Sequence, residues 1–341
     1  MWVIEGPFDG EPGDLERKKL KLLKPSRSYP LGRKAKHPLQ LVLSHPKVSA
    51  EQVTFVVGEH SVNSINDPAF RPTLTMLNHK NKALQVSRVT DGRKDRFVVE
   101  PLSEGALCSG DVVALVTGIY VSIHWRPVCC YAPPKTPSIA FDKCASLGVK
   151  VVSTPHPEVT HQLTATLSAT SLVAGSLLAL EHLVRPDWLT ELLHLGDSSA
   201  STDSLSTLEK DFRLPAEAQH RPAFAASLAP QLKTFSLWEP SNKRVDLFKG
   251  WRFVFVGERG RELDIETRTL VERGRGEYET FDVSGGATRW RQMLSRNKRK
   301  AEAEGGKGLG VIGDSEPLKL AAGDSWDNMQ DVLRSRVLSN I

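Results

Sequence analysis

The sequence predicts a β-sandwich followed by two small α/β domains built on parallel sheets. Three observations carry that reading. Over the first 125 residues, short apolar runs recur between Pro, Gly, Asn and Asp, the spacing that a sandwich or barrel produces. From about residue 127, strand-like runs alternate with segments whose apolar residues share one helical face, as in helices packed on a parallel sheet. The chain has 341 residues, 40% hydrophobic and 25% charged, a globular composition with room for more than one domain of about 100 to 200 residues.

In the first part the predicted strands are 2–4, 39–43, 53–57, 74–77, 97–99, 112–116 and 119–123, and no helix of useful length fits between them. A strand at 127–132 opens the second part. Ala140, Cys144 and Leu147 then lie on one face of a helix that Gly148 can terminate. Strands follow at 149–152 and 161–166, an apolar helix at 171–180 and a short strand at 183–184. Pro186 and Asp187 start an amphipathic helix through Trp188, Leu189, Leu192 and Leu193 that ends at Gly196. Residues 197–245, rich in Ser, Thr, Ala and Pro, read as a partly ordered linker. A strand at 251–256 begins the last unit, with helices at 288–300 and 326–337 and a basic surface excursion at 296–306. The resulting domains are 1–125, 126–196, a linker at 197–245, and 246–341, the last of them lacking its final strand and helix.

No run approaches the roughly 18 apolar residues of a membrane span. Glu5, Asp9, Glu11, Asp14 and Glu16 exclude a signal-peptide core in the first twenty residues, so a cytosolic or nuclear protein is expected. Cys108, Cys129, Cys130 and Cys144 show no C-x-x-C spacing and read as reduced, buried small hydrophobes. The net charge is +5, yet residues 17–50 hold ten Lys or Arg and no Asp or Glu. That stretch suits an anionic partner, either nucleic acid or phosphorylated peptide, or is simply a solvated basic face.

Enzymatic signatures are weak. Gly308 to Gly313 fits G-x-G-x-x-G, but the polar residues before it and the turn-like Asp314 to Pro317 after it argue for a glycine-rich loop and short strand, with no cofactor. His156 and His161 have only Glu158 nearby in sequence, which makes no metal site. Neither a Ser/His/Asp set nor a carboxylate pair assembles, so no catalysis is expected.

The informative signal is Tyr29-Pro30-Leu31-Gly32-Arg33-Lys34, a strand, then Val48-Ser49 leading into Val53-Thr54-Phe55. An Arg after a loop Gly and a Ser before the next strand can converge on one phosphate, the guanidinium as a bidentate fork and the hydroxyl as a neutral donor. With the Met1-Trp2 opening, these residues resemble the forkhead-associated (FHA) domain of the nibrin family, adaptor subunits of the MRN DNA-break complex, in a divergent, fungal-like form. Arg126-Pro127-Val128-Cys129-Cys130 resembles that family's direct passage into a BRCT domain. Leu147-Gly148, Thr160-His161-Gln162-Leu163 and Leu183 to Leu192 resemble the BRCT pattern, with Trp188 in the core, and Phe248 to Phe255 resembles the start of a second BRCT domain.

Two positions depart from the FHA pattern. Gln52 stands where a histidine usually braces the serine loop, and Ala50 where a basic residue often follows the serine. His79-Lys80-Asn81-Lys82 is the nearest match to the loop that reads the phosphothreonine backbone. The first BRCT domain offers Cys129, Cys130 and Tyr131 and a helix at 170–180 without Lys or Arg, poor chemistry for a phosphate.

The resemblance implies a nuclear, non-catalytic adaptor that binds phosphothreonine- or phosphoserine-bearing repair proteins, such as a resection cofactor or a chromatin mediator. Its context would be double-strand-break repair, checkpoint signalling and telomere maintenance. Arg33 would carry phosphate recognition and Ser49 its orientation, with Lys34, Lys36, Lys80, Asn81 and Lys82 in support. The nuclease and ATPase subunits would bind a C-terminal region outside this chain. Two other readings stay open: a scaffold of the same architecture whose phosphate pockets have decayed, and weak direct DNA binding by the basic 17–50 stretch.

Overall fold

The computed structural model describes residues 1–11, 15–90, 92–134, 136, 138–198, 204–258, 265–303 and 306–336. They form two compact units, 1–166 with 183–223 and 167–182 with 224–341.

The first unit begins with eleven strands: β1 (Trp2–Gly6), β2 (Lys19–Leu23), β3 (Ser28–Gly32), β4 (Leu41–Val42), β5 (Val53–Val57), β6 (Leu74–Asn78), β7 (Leu84–Thr90), β8 (Arg93–Val99), β9 (Glu104–Leu107), β10 (Val112–Val116) and β11 (Ile119–Trp125). They make a six-stranded sheet, β2-β1-β11-β10-β7-β8, and a five-stranded sheet, β4-β3-β5-β6-β9. Alternate residues of each strand point inward, since the side-chain period is two. Ile4, Phe8, Tyr29, Leu31, Phe55, Met76, Val86 and Val121 accordingly fill one core. This is the sandwich the sequence predicts.

Four strands escape the sequence reading, and β2 shows why. Its lysines look solvated, yet Lys21 is only 2% exposed. Its ammonium pairs with Asp9 at 2.7 Å and lies 5.9 Å from the centre of the Phe8 ring. Burying a cation is tolerable when it is paired in this way.

The chain then runs directly into β12 (Cys129–Tyr131), α1 (Phe141–Leu147), β13 (Lys150–Val152), β14 (His161–Leu163) and the short β15 (Thr166–Leu167). After α2 (Ser171–Leu178), β16 (His182–Val184) completes a sheet of order β13-β12-β14-β16, in which β12 is parallel to β13 and β14. Gly148 caps α1 in the left-handed region at φ 73°, where a side chain would be strained. In α3 (Pro186–Gly196) Pro sits in the first turn, where its missing N–H costs nothing. Trp188 is fully buried; its indole N–H donates to Pro215 O at 2.9 Å and its ring stacks on His161 at 3.9 Å.

Met1, Val3 and Leu22 of the sandwich share a second core with Val128, Cys130, Cys144, Val151 and Trp188. Burial pushes the Cys130 thiol up and that of Cys144 to about 12, so both act as small hydrophobes. Cys108 corrects the reading of four buried cysteines. It is exposed, in the turn between β9 and β10, where its N–H donates to Asp111.

The 197–245 segment carries α4 (Thr207–Lys210), and with it a fully buried carboxylate, Glu209. Glu209 accepts from Tyr29 Oη at 2.6 Å, Arg27 Nη1 at 3.0 Å, and the Ser206 N–H and hydroxyl at 2.8 and 2.7 Å. Lys24 Nζ lies 3.0 Å away. Tyr29 belongs to β3, the strand that ends at Gly32, so this network fixes the strand from which Arg33 emerges.

The second unit contains α2, β17 (Ala223–Phe224), β18 (Trp251–Gly257), α5 (Ile265–Arg273), β19 (Glu277–Asp282), α6 (Gly286–Ala303), β20 (Gly308–Ile312), α7 (Ser315–Ala322) and α8 (Trp326–Arg336). β18 runs parallel to β19 and β20 at its two sides, under a core of Val254, Phe281, Trp290 and Leu294. The glycine motif falls in β20 itself. A Cβ on Gly308 or Gly310 would lie 3.0 Å from the Trp251 ring and 2.9 Å from the Phe253 ring, so these glycines admit aromatic neighbours. The turn-like reading of 314–317 is corrected, because α7 starts at Ser315 under an Asp314 cap. Residues 337–341 lie outside the described residues.

Burial alone would raise the Glu209 pKa, but the hydrogen bonds from Tyr29 and Ser206 and the Lys24 charge outweigh it and hold the carboxyl below its usual range. Its stabilising contribution is therefore complete above the pH at which an unfolded Glu titrates and is lost as pH falls through the lower folded value. Glu209→Ala leaves buried cations uncompensated and should cost about 3–5 kcal/mol in urea unfolding at pH 7. Glu209→Gln should flatten the loss of stability on acidification below the range in which an unfolded Glu titrates.

Candidate functional site

Three loops at one end of the sandwich meet because of a glycine. Gly32 ends β3, and a Cβ there would lie 1.8 Å from Ala50 O and 2.7 Å from Gln40 Nε2. Only a residue without a side chain permits this approach. It lets the Arg33 N–H donate to Ser49 O at 2.9 Å. The loop carrying Arg33, Lys34 and Lys36 is shaped from inside by Gln40, which accepts the Lys36 N–H at 2.6 Å and donates to Ala50 O at 3.2 Å.

Gln52 braces the serine loop. Its side-chain Oε1 accepts the Ser49 N–H at 3.1 Å, and its Nε2 donates to Leu115 O at 2.9 Å. Its backbone N–H donates to Leu31 O at 2.8 Å and its carbonyl accepts the His79 N–H at 3.3 Å. An amide has both a donor and an acceptor end, so Gln52 ties the serine loop to the facing strand from both ends of its side chain.

The third loop hangs from Asn78, the last residue of β6. Its Nδ2 donates to Lys82 O at 2.9 Å and Glu100 O at 3.0 Å, and its Oδ1 accepts the Lys80 N–H at 2.9 Å. The loop thereby brings Lys80 Nζ to 2.5 Å from Ser49 Oγ. Arg33, Ser49 and Lys80 thus come from three loops tied directly to one another. Lys34, Lys36, Asn81 and Lys82 are exposed on two of these loops. Lys36 pairs with Glu51 at 3.5 Å, an exposed contact that contributes little energy. The Ser49 hydroxyl and the Lys80 ammonium meet, and the exposed Arg33 is tied to Ser49 through its backbone N–H.

Sequence reasoning missed Gln40 and Asn78. For Asn78 a signal existed: on the two-residue period of β6 it follows Leu74 and Met76 at an inward position, and a polar residue there needs internal partners. Gln40 sits in an irregular loop without periodicity.

Among the described residues, the first α/β domain presents no comparable donor set. At β12 the Thr160 hydroxyl is taken by Cys129, accepting its N–H at 3.0 Å. In the second unit, Arg273 lies against Gly175 of α2, but its guanidinium pairs with the buried Glu181 at 2.8 Å. Within the 17–50 stretch, Lys21 and Lys24 are buried and unavailable to an external partner.

A sandwich with its loops so arranged, followed by two parallel-sheet α/β domains, has the architecture of an FHA domain joined to two BRCT domains. In solved structures the same order occurs in S. pombe Nbs1. Its FHA-BRCT1-BRCT2 domains match at 14% identity and TM-score 0.52 over 98% of both chains. The structure of the S. pombe Nbs1-Ctp1 complex matches at 14% identity and TM-score 0.52 over 99% of both. The nibrin-like arrangement read from motif order is therefore present at the level of the fold. No family model matches the chain, and no curated protein sequence matches it.

Gln52→Leu would strip partners from Ser49 N–H and Leu115 O. It should cost about 1–3 kcal/mol in chemical denaturation and accelerate hydrogen exchange at the Ser49 amide, while amides of β18 and β19 keep their protection.

Proposed function

We propose that the chain is a phosphopeptide-binding adaptor that recruits phosphothreonine-bearing repair and checkpoint proteins to DNA double-strand breaks. It would work in the nucleus, within a complex of the MRN type. The observation that carries this reading is the meeting of Arg33, Ser49 and Lys80 on loops braced by Gln52 and Asn78. Arg33 would grip the phosphate with its fork, Ser49 would orient it through one hydroxyl hydrogen bond, and Lys80 would move from Ser49 onto the incoming charge. Lys34, Lys36 and Lys82 would raise the local potential, and Asn81 would hold the peptide backbone. The presence of S. pombe Nbs1 in a solved complex with Ctp1 fits an adaptor that binds a protein partner.

The scaffold reading keeps one observation in its favour, the engagement of Thr160 and Arg273 by internal partners in the region of the BRCT pair. It therefore applies to that pair, which would hold the FHA domain and contribute no phosphate contact of its own. A serine hydroxyl and a lysine within 2.5 Å of each other support the adaptor reading for the FHA loops.

On peptide arrays the chain should retain phosphothreonine peptides and ignore their unphosphorylated forms. Arg33→Ala should reduce anisotropy-monitored binding by a hundredfold or more, since a charged hydrogen-bond pair is worth about 1.5–3 kcal/mol or above when bidentate. Lys80→Ala should cost about tenfold. Equal retention of phosphorylated and plain peptides would leave the scaffold reading standing.

A further inference from the structure

Outside the loops of the sandwich, α6 carries a concentration of positive charge. This helix buries Trp290, Leu294, Asn297 and Ala301, a single stripe at i, i+4, i+7 and i+11. Its other faces carry Arg289, Arg291, Arg296, Lys298, Arg299 and Lys300 against one carboxylate, Glu302. Among the described residues, the ion pair made by this surface is Arg296 with Glu279 at 2.6 Å. Asn297 donates to the same carboxylate at 3.0 Å. Arg296 is thereby held in place, while the remaining cations extend along the helix. A groove of about 440 Å3 runs beside them, lined among the described residues by Arg291, Gln292, Ser295, Arg296, Arg299 and Lys300, none of them a carboxylate.

We infer that α6 of the second BRCT domain is a docking surface for the phosphate backbone of duplex DNA. The cations do not converge on a point, as a single phosphate of a phosphopeptide would require. They are spread from Arg289 to Lys300, about 16 Å at 1.5 Å per residue, a length over which a duplex presents a series of phosphates. A lipid surface fits poorly, because insertion needs an exposed apolar face and the apolar stripe of α6 is turned into the core. A single strand would call for aromatic stacking platforms, and the exposed residues of α6 include none. Arg, Lys, Gln and Ser are the side chains that contact DNA backbone without reading sequence.

The test uses the whole chain and a fluorescein-labelled duplex of about 20 base pairs, followed by anisotropy between 50 and 200 mM NaCl. The logarithm of the binding constant should fall linearly with the logarithm of salt concentration. Arg291→Ala/Arg299→Ala/Lys300→Ala should bind at least tenfold more weakly at 50 mM and lower the slope by about 2.7, at about 0.9 per lost phosphate contact. Arg299→Glu alone should act in the same direction. Both variants should keep the wild-type thermal midpoint and Arg33-dependent phosphopeptide binding, which separates this surface from the FHA loops. Unchanged duplex affinity in either variant, or no duplex binding by the wild type at 50 mM, overturns the inference. So does a loss that follows Lys34→Ala/Lys36→Ala instead, or binding to phosphatidylserine vesicles that depends on α6 while duplex binding does not.

Discussion

A single buried residue, Gln52, joins the three loops of the candidate site, making two hydrogen bonds with its side-chain amide and two with its backbone. Gln52 receives the Ser49 N–H, donates to Leu115 on the opposite sheet, bonds through its own N–H to Leu31 just before Gly32, and receives the His79 N–H. Each of these groups is a backbone donor or acceptor that burial would otherwise leave unmade, at a cost of the order of 1–3 kcal/mol. The loops that present Arg33, Ser49 and Lys80 are therefore fixed from within the sandwich, and pre-organisation reduces what must be ordered on binding. Gly32 supplies the complementary condition, since any side chain there would collide with Ala50 O.

A second constraint acts one strand away. Tyr29, three residues before Gly32, shares the Glu209 carboxylate with Lys24, Arg27 and Ser206. Buried ionic groups of this kind contribute less to net stability than to the choice of one arrangement, because removing any one partner strands the others. The network joins the 204–212 segment to the sandwich, and the burial of Leu208 and Phe212 adds to it, so a stretch of chain with little apolar periodicity is ordered by both polar and apolar contacts.

The fold was legible wherever hydrophobic periodicity was strong. The run at 53–57 gave β5, Pro186 and Gly196 bounded α3, and the order of motifs gave the three-domain architecture. It was illegible where charge masked burial. Lys19 and Lys21 hid β2, and the polar sequence at 265–282 hid α5 and β19. At the candidate site, residue type and spacing singled out Arg33 and Ser49, the family resemblance pointed to Lys80, and the structure joins the three loops that carry them. Gln52 read as a departure from the pattern because its residue type differs, whereas its hydrogen-bonding capacity is what the position uses. Gln40 and Asn78 act through their contacts with backbone groups distant in sequence, which no local pattern records.

The central claim is that the Gln52-braced loops form the surface that receives a phosphate. It is tested most directly by titrating a 15N-labelled chain with a phosphothreonine peptide mixture and following the backbone amides. The account predicts saturable shifts centred on Arg33, Ser49 and Lys80, absent with the unphosphorylated mixture. Shifts that leave those three amides unmoved, or that are the same for both mixtures, would contradict it.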